Sequence, residues 1–251
     1  LRMAVAALFL FIYLKIKNII LPLKKKDIVN YFAIAVLGNV CPFFLVSWAE
    51  ISISTNVTGI IMGLMPITTV FLAYFLVKEE KINIYTFLGI FLGFCGLFFL
   101  LDIIANKNIS FLPQIAVIIS TISFALGTIY ARKIPNFNPL YILTGSTYFA
   151  CLILIPFVLF FDDPLNISAT NQSIIFVIVL GILNTAIGGL IFFKLIKLTG
   201  AAFTSTVNFI TPFVAVIWGY TFLNESLNSN QILGFFFILL GIYLVKKSTD
   251  S

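Results

Sequence analysis

Apolar residues run through this chain in long blocks broken by brief polar punctuation. The hydrocarbon core of a bilayer is about 30 Å thick and takes about 20 apolar helical residues to cross. Windows of that size lie near residues 3–21, 28–49, 54–77, 82–101, 111–131, 139–161, 172–193, 200–223 and 228–245, which predicts nine membrane helices. Only the first is interrupted by charge, at Lys15 and Lys17, whose long stems let the ammonium groups reach the interface. The connections are short and carry Pro22 with Lys24 to Lys26, Lys78 to Lys81, Pro135 to Pro139, and Asp162 to Pro164. Helices adjacent in sequence are therefore expected to be antiparallel neighbours.

The pattern repeats. The stretch from Ile51 to Val77 and that from Leu198 to Asn224 share an uncharged run, a central proline and a following glutamate, with Pro66 on Pro212 and Glu79 on Glu225 at an offset of 146. A membrane-length segment written twice marks a transporter built from duplicated halves. Four windows precede residue 105 and five follow, so residues 1–105 and 106–251 are the expected repeats. The first reads as one helix short, and the sequence is expected to be a fragment lacking an opening helix. With five helices per repeat, an odd number, the two enter the membrane in opposite directions. The predicted fold is thus an all-α polytopic membrane protein of two inverted five-helix repeats, with nine helices present.

Charge orients the spans. Alternating the loops between two sides places thirteen of the fifteen Lys and Arg residues on one side, leaving Arg2 and Lys107 on the other. The rich side is expected to be cytoplasmic, which puts the C-terminus inside. Composition agrees: 61% of residues are hydrophobic and 10% charged, with a mean hydropathy of +1.14, far from a soluble domain. A multi-pass protein of a bacterial-type inner (plasma) membrane is expected. The net charge of +6 sits in short clusters between apolar runs, not in a stripe with interleaved aromatics, so no nucleic-acid partner is expected.

Chemistry is sparse. Cys41, Cys95 and Cys151 stand alone in apolar runs, as small core residues do, and the chain has no histidine. Neither HExxH metal chemistry nor an imidazole base is available. GxSxG, a phosphate-cradling glycine loop and clustered carboxylates are missing too. The chain is read as no enzyme, with no catalytic residues, metal ligands or cofactor.

Polar groups in hydrocarbon need a partner or a wet cavity. Pro66 and Pro212 lie mid-window and leave the carbonyls of Met62 and Asn208 without their usual amide. Such carbonyls either bind solute or merely let the helix bend. Asn39, Trp48, Thr68, Thr69, Ser120, Ser123, Thr128, Asn184, Thr185, Thr204, Asn208 and Trp218 are the further candidates. Serine and threonine can bond back to their own helix, and the asparagines serve equally as interhelical bonds. Glycines at four-residue spacing, Gly59 with Gly63 and Gly89 with Gly93, read as close helix packing, and Gly234 with Gly241 repeats the interval of Gly89 and Gly96. No carboxylate lies mid-helix. Glu50, Lys194 and Lys197 are gate or coupling residues on one reading and interfacial anchors on the other.

The stretches SWAEISISTNVTGIIMGLMPITTVFLAYFLVKEEKI and FFKLIKLTGAAFTSTVNFITPFVAVIWGYTFLNESL resemble the two EamA domains of the drug/metabolite transporter superfamily, as do ALGTIYARK, GIFLGFCG and GFFFILLG. The resemblance covers nearly the whole chain. It implies ten helices in two inverted repeats, with a central cavity lined mainly by the first, third and fourth helix of each. Carried onto this sequence, the cavity draws on the segments holding Trp48, Met62, Pro66, Ser123, Asn184, Asn208 and Pro212. The expected function is a permease moving a small organic, amino-acid-like metabolite by alternating access, with export favoured. Competing readings are a multidrug or lipid-like exporter of the same architecture and a membrane scaffold without a pathway. Expected partners are the solute and membrane lipid, with a homodimer left open.

Overall fold

The structure, a computed structural model, describes residues 1–53, 55–77, 83–100, 111–161, 170–210 and 229–250. Pro212, Trp218 and Glu225 therefore lie outside the described residues, as do Asp162, Asp163 and Lys107. Among the described residues all regular structure is helical. In hydrocarbon every backbone amide must be satisfied within its own segment or a closed barrel, and long apolar runs accordingly fold as helices.

The elements are α1 (Arg2–Ile16), α2 (Lys25–Ala35), α3 (Cys41–Ala49), α4 (Thr55–Met62), α5 (Met65–Leu76), α6 (Ile84–Leu100), α7 (Phe111–Lys133), α8 (Pro139–Phe161), α9 (Asn171–Val179), α10 (Gly189–Ser205) and α11 (Ser229–Asp250). Two π-helical stretches, Val36–Val40 and Leu180–Gly188, join α2 to α3 and α9 to α10. Among the described residues four helical spans are long and apolar enough to cross a membrane: Lys25–Ala49, Phe111–Lys133, Pro139–Val158 and Gln172–Ser205. Met65–Leu76, Ile84–Gly96 and Ile232–Val245 are shorter apolar helices.

One predicted window, 54–77, is two helices. The Leu64 amide bonds back three residues to Ile61 at 3.0 Å, and the ladder restarts with the Thr68 amide on the Leu64 carbonyl at 2.9 Å. Pro66 lies in the first turn of α5, where its missing amide does no harm. Gly200 makes a second break. At φ 87° it interrupts α10, a conformation that only a residue without Cβ adopts freely, and it falls where the seventh window gives way to the eighth.

The chain forms two compact units. Unit 1 comprises Leu1–Cys41 and Tyr130–Leu198; unit 2 comprises Pro42–Ile129 and Thr199–Ser251. Each unit draws helices both from the first 105 residues and from the rest of the chain. The core of unit 1 gathers Ala6 and Leu10 from α1, Tyr31 and Ile34 from α2, Ile142 and Leu143 from α8, and Phe193 and Ile196 from α10. In unit 2, Ala49 and Ile53 pack on Ala116 and Val117 of α7, while Val70, Ile90, Ala202 and Val245 form a second cluster.

Glycines bring α6 and α11 into backbone contact. A Cβ added at Gly89 would lie 2.5 Å from the Gly241 carbonyl oxygen, and one at Gly96 would lie 2.7 Å from that of Gly234. Residue numbers rise along one helix as they fall along the other, so the two run antiparallel. The rings of Phe99 on α6 and Phe237 on α11 stack with centroids 5.8 Å apart. Small residues allow this approach, which gains dispersion contacts that lipid tails cannot match.

Candidate functional site

The irregular backbone lies where the candidate polar residues are. In unit 1, Asn39 sits in the π-helical stretch Val36–Val40, and Asn184 and Thr185 in Leu180–Gly188. The offset of 146 maps residues 36–40 onto 182–186, inside the second stretch, with Asn39 on Thr185. A π turn carries one extra residue, which widens the helix and redirects side chains, and such turns concentrate at functional sites. The Thr185 hydroxyl takes up one widened carbonyl, that of Leu180 five residues back, at 3.2 Å. Gly181 lets α1 approach, since a Cβ there would lie 2.7 Å from Val5 Cβ. Asn184 is exposed, whereas Asn39 and Thr185 are half-buried.

In unit 2 the break between α4 and α5 lies beside the turn that follows α10 at Thr206. Asn208 donates its side-chain amide to Met65 Sδ at 2.9 Å and to the Ser205 carbonyl at 2.9 Å. Met65 is buried and directly precedes Pro66. Next to it, Phe209 is wholly buried against Gly93, where a Cβ would lie 2.5 Å from the ring. Sequence reasoning singled out Met62, Pro66 and Asn208 but missed Met65, the residue that links them.

The remaining candidates of unit 2 flank this junction. Met62 packs with Leu45 and Ile61 on the cluster of Ala49 and Val117, so α3, α4 and α7 are neighbours. Ser120 ties α7 to the start of α3 by donating to the Pro42 carbonyl at 3.1 Å. Ser123, one turn on, is buried, and Trp48 on α3 is 42% exposed. Pro212 lies outside the described residues.

Two threonines bracket the break. Thr58 on α4 and Thr69 on α5 are buried, and neither hydroxyl has a hydrogen-bond partner among the described residues. The same holds for Thr144 and Tyr148, one turn apart on α8 in unit 1. A buried hydroxyl left unpaired costs about 1–3 kcal/mol, which makes these four the groups best placed to accept a polar ligand or water. Most other buried hydroxyls are spent on their own helix: Thr121, Thr128, Thr147 and Thr204 donate to the carbonyl four residues back. A periodic apolar pattern does not distinguish the two groups. Among the described residues every buried polar side chain is uncharged, so the chemistry on offer is neutral hydrogen bonding.

Apolar spans, two of them carrying a π-helical stretch, with breaks beside uncharged polar groups, define a multi-pass helical membrane protein; irregular backbone within hydrocarbon is tolerated only inside protein or beside a cavity. The sequence profile of the EamA-like transporter family matches residues 1–102 and 112–246, and the chain belongs to that family of membrane transporters. Among curated relatives, the "Uncharacterized transporter YoaV" of Bacillus subtilis is 21% identical over 97% of this chain and 84% of its own length. An "Uncharacterized transporter" of Archaeoglobus fulgidus is 26% identical over 98% and 87%. The chloroplastic "WAT1-related protein At3g02690" of Arabidopsis thaliana is 28% identical over 76% of this chain and 48% of its own length. A solved crystal structure shares the fold with a TM-score of 0.84 at 12% identity, covering 97% of this chain and 84% of that one.

Proposed function

We propose that this transporter moves a small, amino-acid-like organic metabolite across a bacterial-type inner membrane by alternating access, with export the favoured direction and the C-terminus cytoplasmic. The observation that carries the reading is the meeting of repeat-related segments in unit 2, where Asn208 of one repeat reaches Met65 beside Pro66 of the other. Alternating access needs two related shapes of similar energy, which inverted repeats supply. The antiparallel pairing of α6 and α11, the last helices of the two repeats, is the arrangement that inversion produces, and it supports that topology. Neutral hydrogen-bonding groups at the π stretches and the breaks suit a solute whose own charges are balanced.

The test is flux. Cells expressing the chain are loaded with a panel of labelled amino acids and related metabolites, and efflux of at least one is expected to exceed that of control cells. Asn208→Leu and Asn184→Leu are each expected to lower that efflux at least tenfold with the protein still present in the membrane. Unchanged flux in both variants removes these residues from the pathway. A panel with no efflux above control overturns the proposed solute class. A reporter fused after Ser251 is expected to be active only in the cytoplasm.

A further inference from the structure

Charge is divided evenly between the sequence repeats and very unevenly between the spatial units. Residues 1–105 and 106–251 each carry a net +3. Unit 1, by contrast, holds ten of the fifteen basic residues and three of the nine acidic ones, a net of +7, while unit 2 holds five and six, a net of −1. Exchanging helices between the repeats has concentrated nearly all the excess positive charge in one body.

Within unit 1 nine of these cations share one end. Lys24 to Lys26 open α2, and the Tyr130 hydroxyl donates to Asn30 Oδ1 at 2.9 Å, which sets the first turns of α2 beside the last turn of α7 with its Arg132 and Lys133. Arg132 Nη1 in turn donates to the Lys197 carbonyl at 3.2 Å, bringing Lys194 and Lys197 to the same end. Lys15 and Lys17 close α1 a short connection before Lys24. Asp27 is the one acidic residue among them, and all nine cations except the half-buried Arg132 are exposed. Interleaved with them are apolar side chains that are almost bare: Ile16 at 72%, Ile20 at 87%, Leu23 at 67% and Leu198 at 79% exposed.

We propose that this end of unit 1 is a binding surface for anionic phospholipid headgroups. Like charges so closely spaced repel one another until anions gather among them, and a leaflet of anionic lipid supplies those anions at high local concentration. The exposed isoleucines and leucines choose between sources of phosphate. A free phosphate would engage the cations and leave the apolar side chains in water, whereas a lipid engages the lysines with its headgroup and the isoleucines with its acyl chains.

The purified full chain in mild detergent is titrated with short-chain phosphatidylglycerol, short-chain phosphatidylcholine and inorganic phosphate, and its melting temperature is followed. Phosphatidylglycerol is expected to raise the melting temperature and the other two to leave it unchanged. The triple variant Lys24→Gln, Lys25→Gln, Lys26→Gln is expected to need at least tenfold more phosphatidylglycerol for the same rise, while Lys24→Arg, Lys25→Arg, Lys26→Arg and the unit 2 control Lys246→Gln, Lys247→Gln keep the parent's response. An equal rise with phosphatidylcholine or with phosphate overturns the proposal, as does a glutamine triple that responds like the parent. Should that triple fail to fold, native mass spectrometry of the parent decides: a preference of at least tenfold for phosphatidylglycerol over phosphatidylcholine supports the surface, and no preference overturns it.

Discussion

Replacing Gly89 by alanine puts a single carbon between the backbones of α6 and α11. The new Cβ would lie 2.5 Å from the Gly241 carbonyl oxygen, 2.8 Å from Val245 Cγ2 and 2.9 Å from the Val245 nitrogen. Ordinary carbon contacts lie at about 3.5–4.0 Å, so α6 and α11 must separate by about 1 Å. Two of the three obstructing atoms are backbone and cannot rotate aside. Overpacking of this kind costs about 1–3 kcal/mol, and alanine recovers about 1 kcal/mol through its better helix propensity. The net destabilisation expected is about 1 kcal/mol, which for a chain of this size lowers the melting temperature by about 2–4 °C. Thermal unfolding of the purified protein in mild detergent reads it. Gly38→Ala is the control of opposite sign: its Cβ would meet only Ile34 Cγ2, at 3.8 Å, so the propensity gain stands alone and stability is expected to hold or rise. The double variant Gly89→Ala, Gly241→Ala should cost less than the two single changes together, because helices already separated accommodate the second carbon. A Gly89→Ala protein that melts higher than the parent, or that moves as Gly38→Ala does, would refute the seam.

Two further substitutions probe the buried polar groups. Tyr130→Phe removes the donor to Asn30, which is 7% exposed, and is expected to lower stability by about 1 kcal/mol; an unchanged melting temperature would mean the bond contributes nothing to unit 1. Thr69→Val replaces a wholly buried hydroxyl that has no partner among the described residues, and is expected to be neutral or stabilising by up to about 1 kcal/mol in the solute-free protein. A clear fall in the same melt would show that the hydroxyl is already engaged.

Much of this architecture could be read from the residues because membrane burial is written in composition and length. The window 28–49 reappears as the span Lys25–Ala49, 111–131 as α7 and 139–161 as α8. Pro66 announced a weakened ladder at Met62, and the helix does part there; it parts fully because Gly63 and Leu64 turn beside it. The π-helical stretches were not legible. One extra residue per turn shifts apolar periodicity too little to notice in a window that is apolar all round, so Asn39 and Asn184 drew attention through polarity alone. The spatial units were not legible either. Residues 1–105 and 106–251 carry equal net charge, and nothing local tells α2 to pack with α8 and α10 instead of with α5. Met65 escaped notice because a thioether in an apolar run looks like filler until Asn208, 143 positions away, is found against it.

The mixed make-up of unit 1 also dictates how the protein can be made. Tyr31 and Phe193 share a core yet are separated by 162 positions, so α1 and α2 must wait in the bilayer, their inner faces uncovered, until α10 has been made. A gene severed near residue 105 would yield two polypeptides, each holding fragments of both bodies and able to complete neither. Joining them in one reading frame guarantees equal supply of the two parts and makes their assembly a matter of folding instead of encounter.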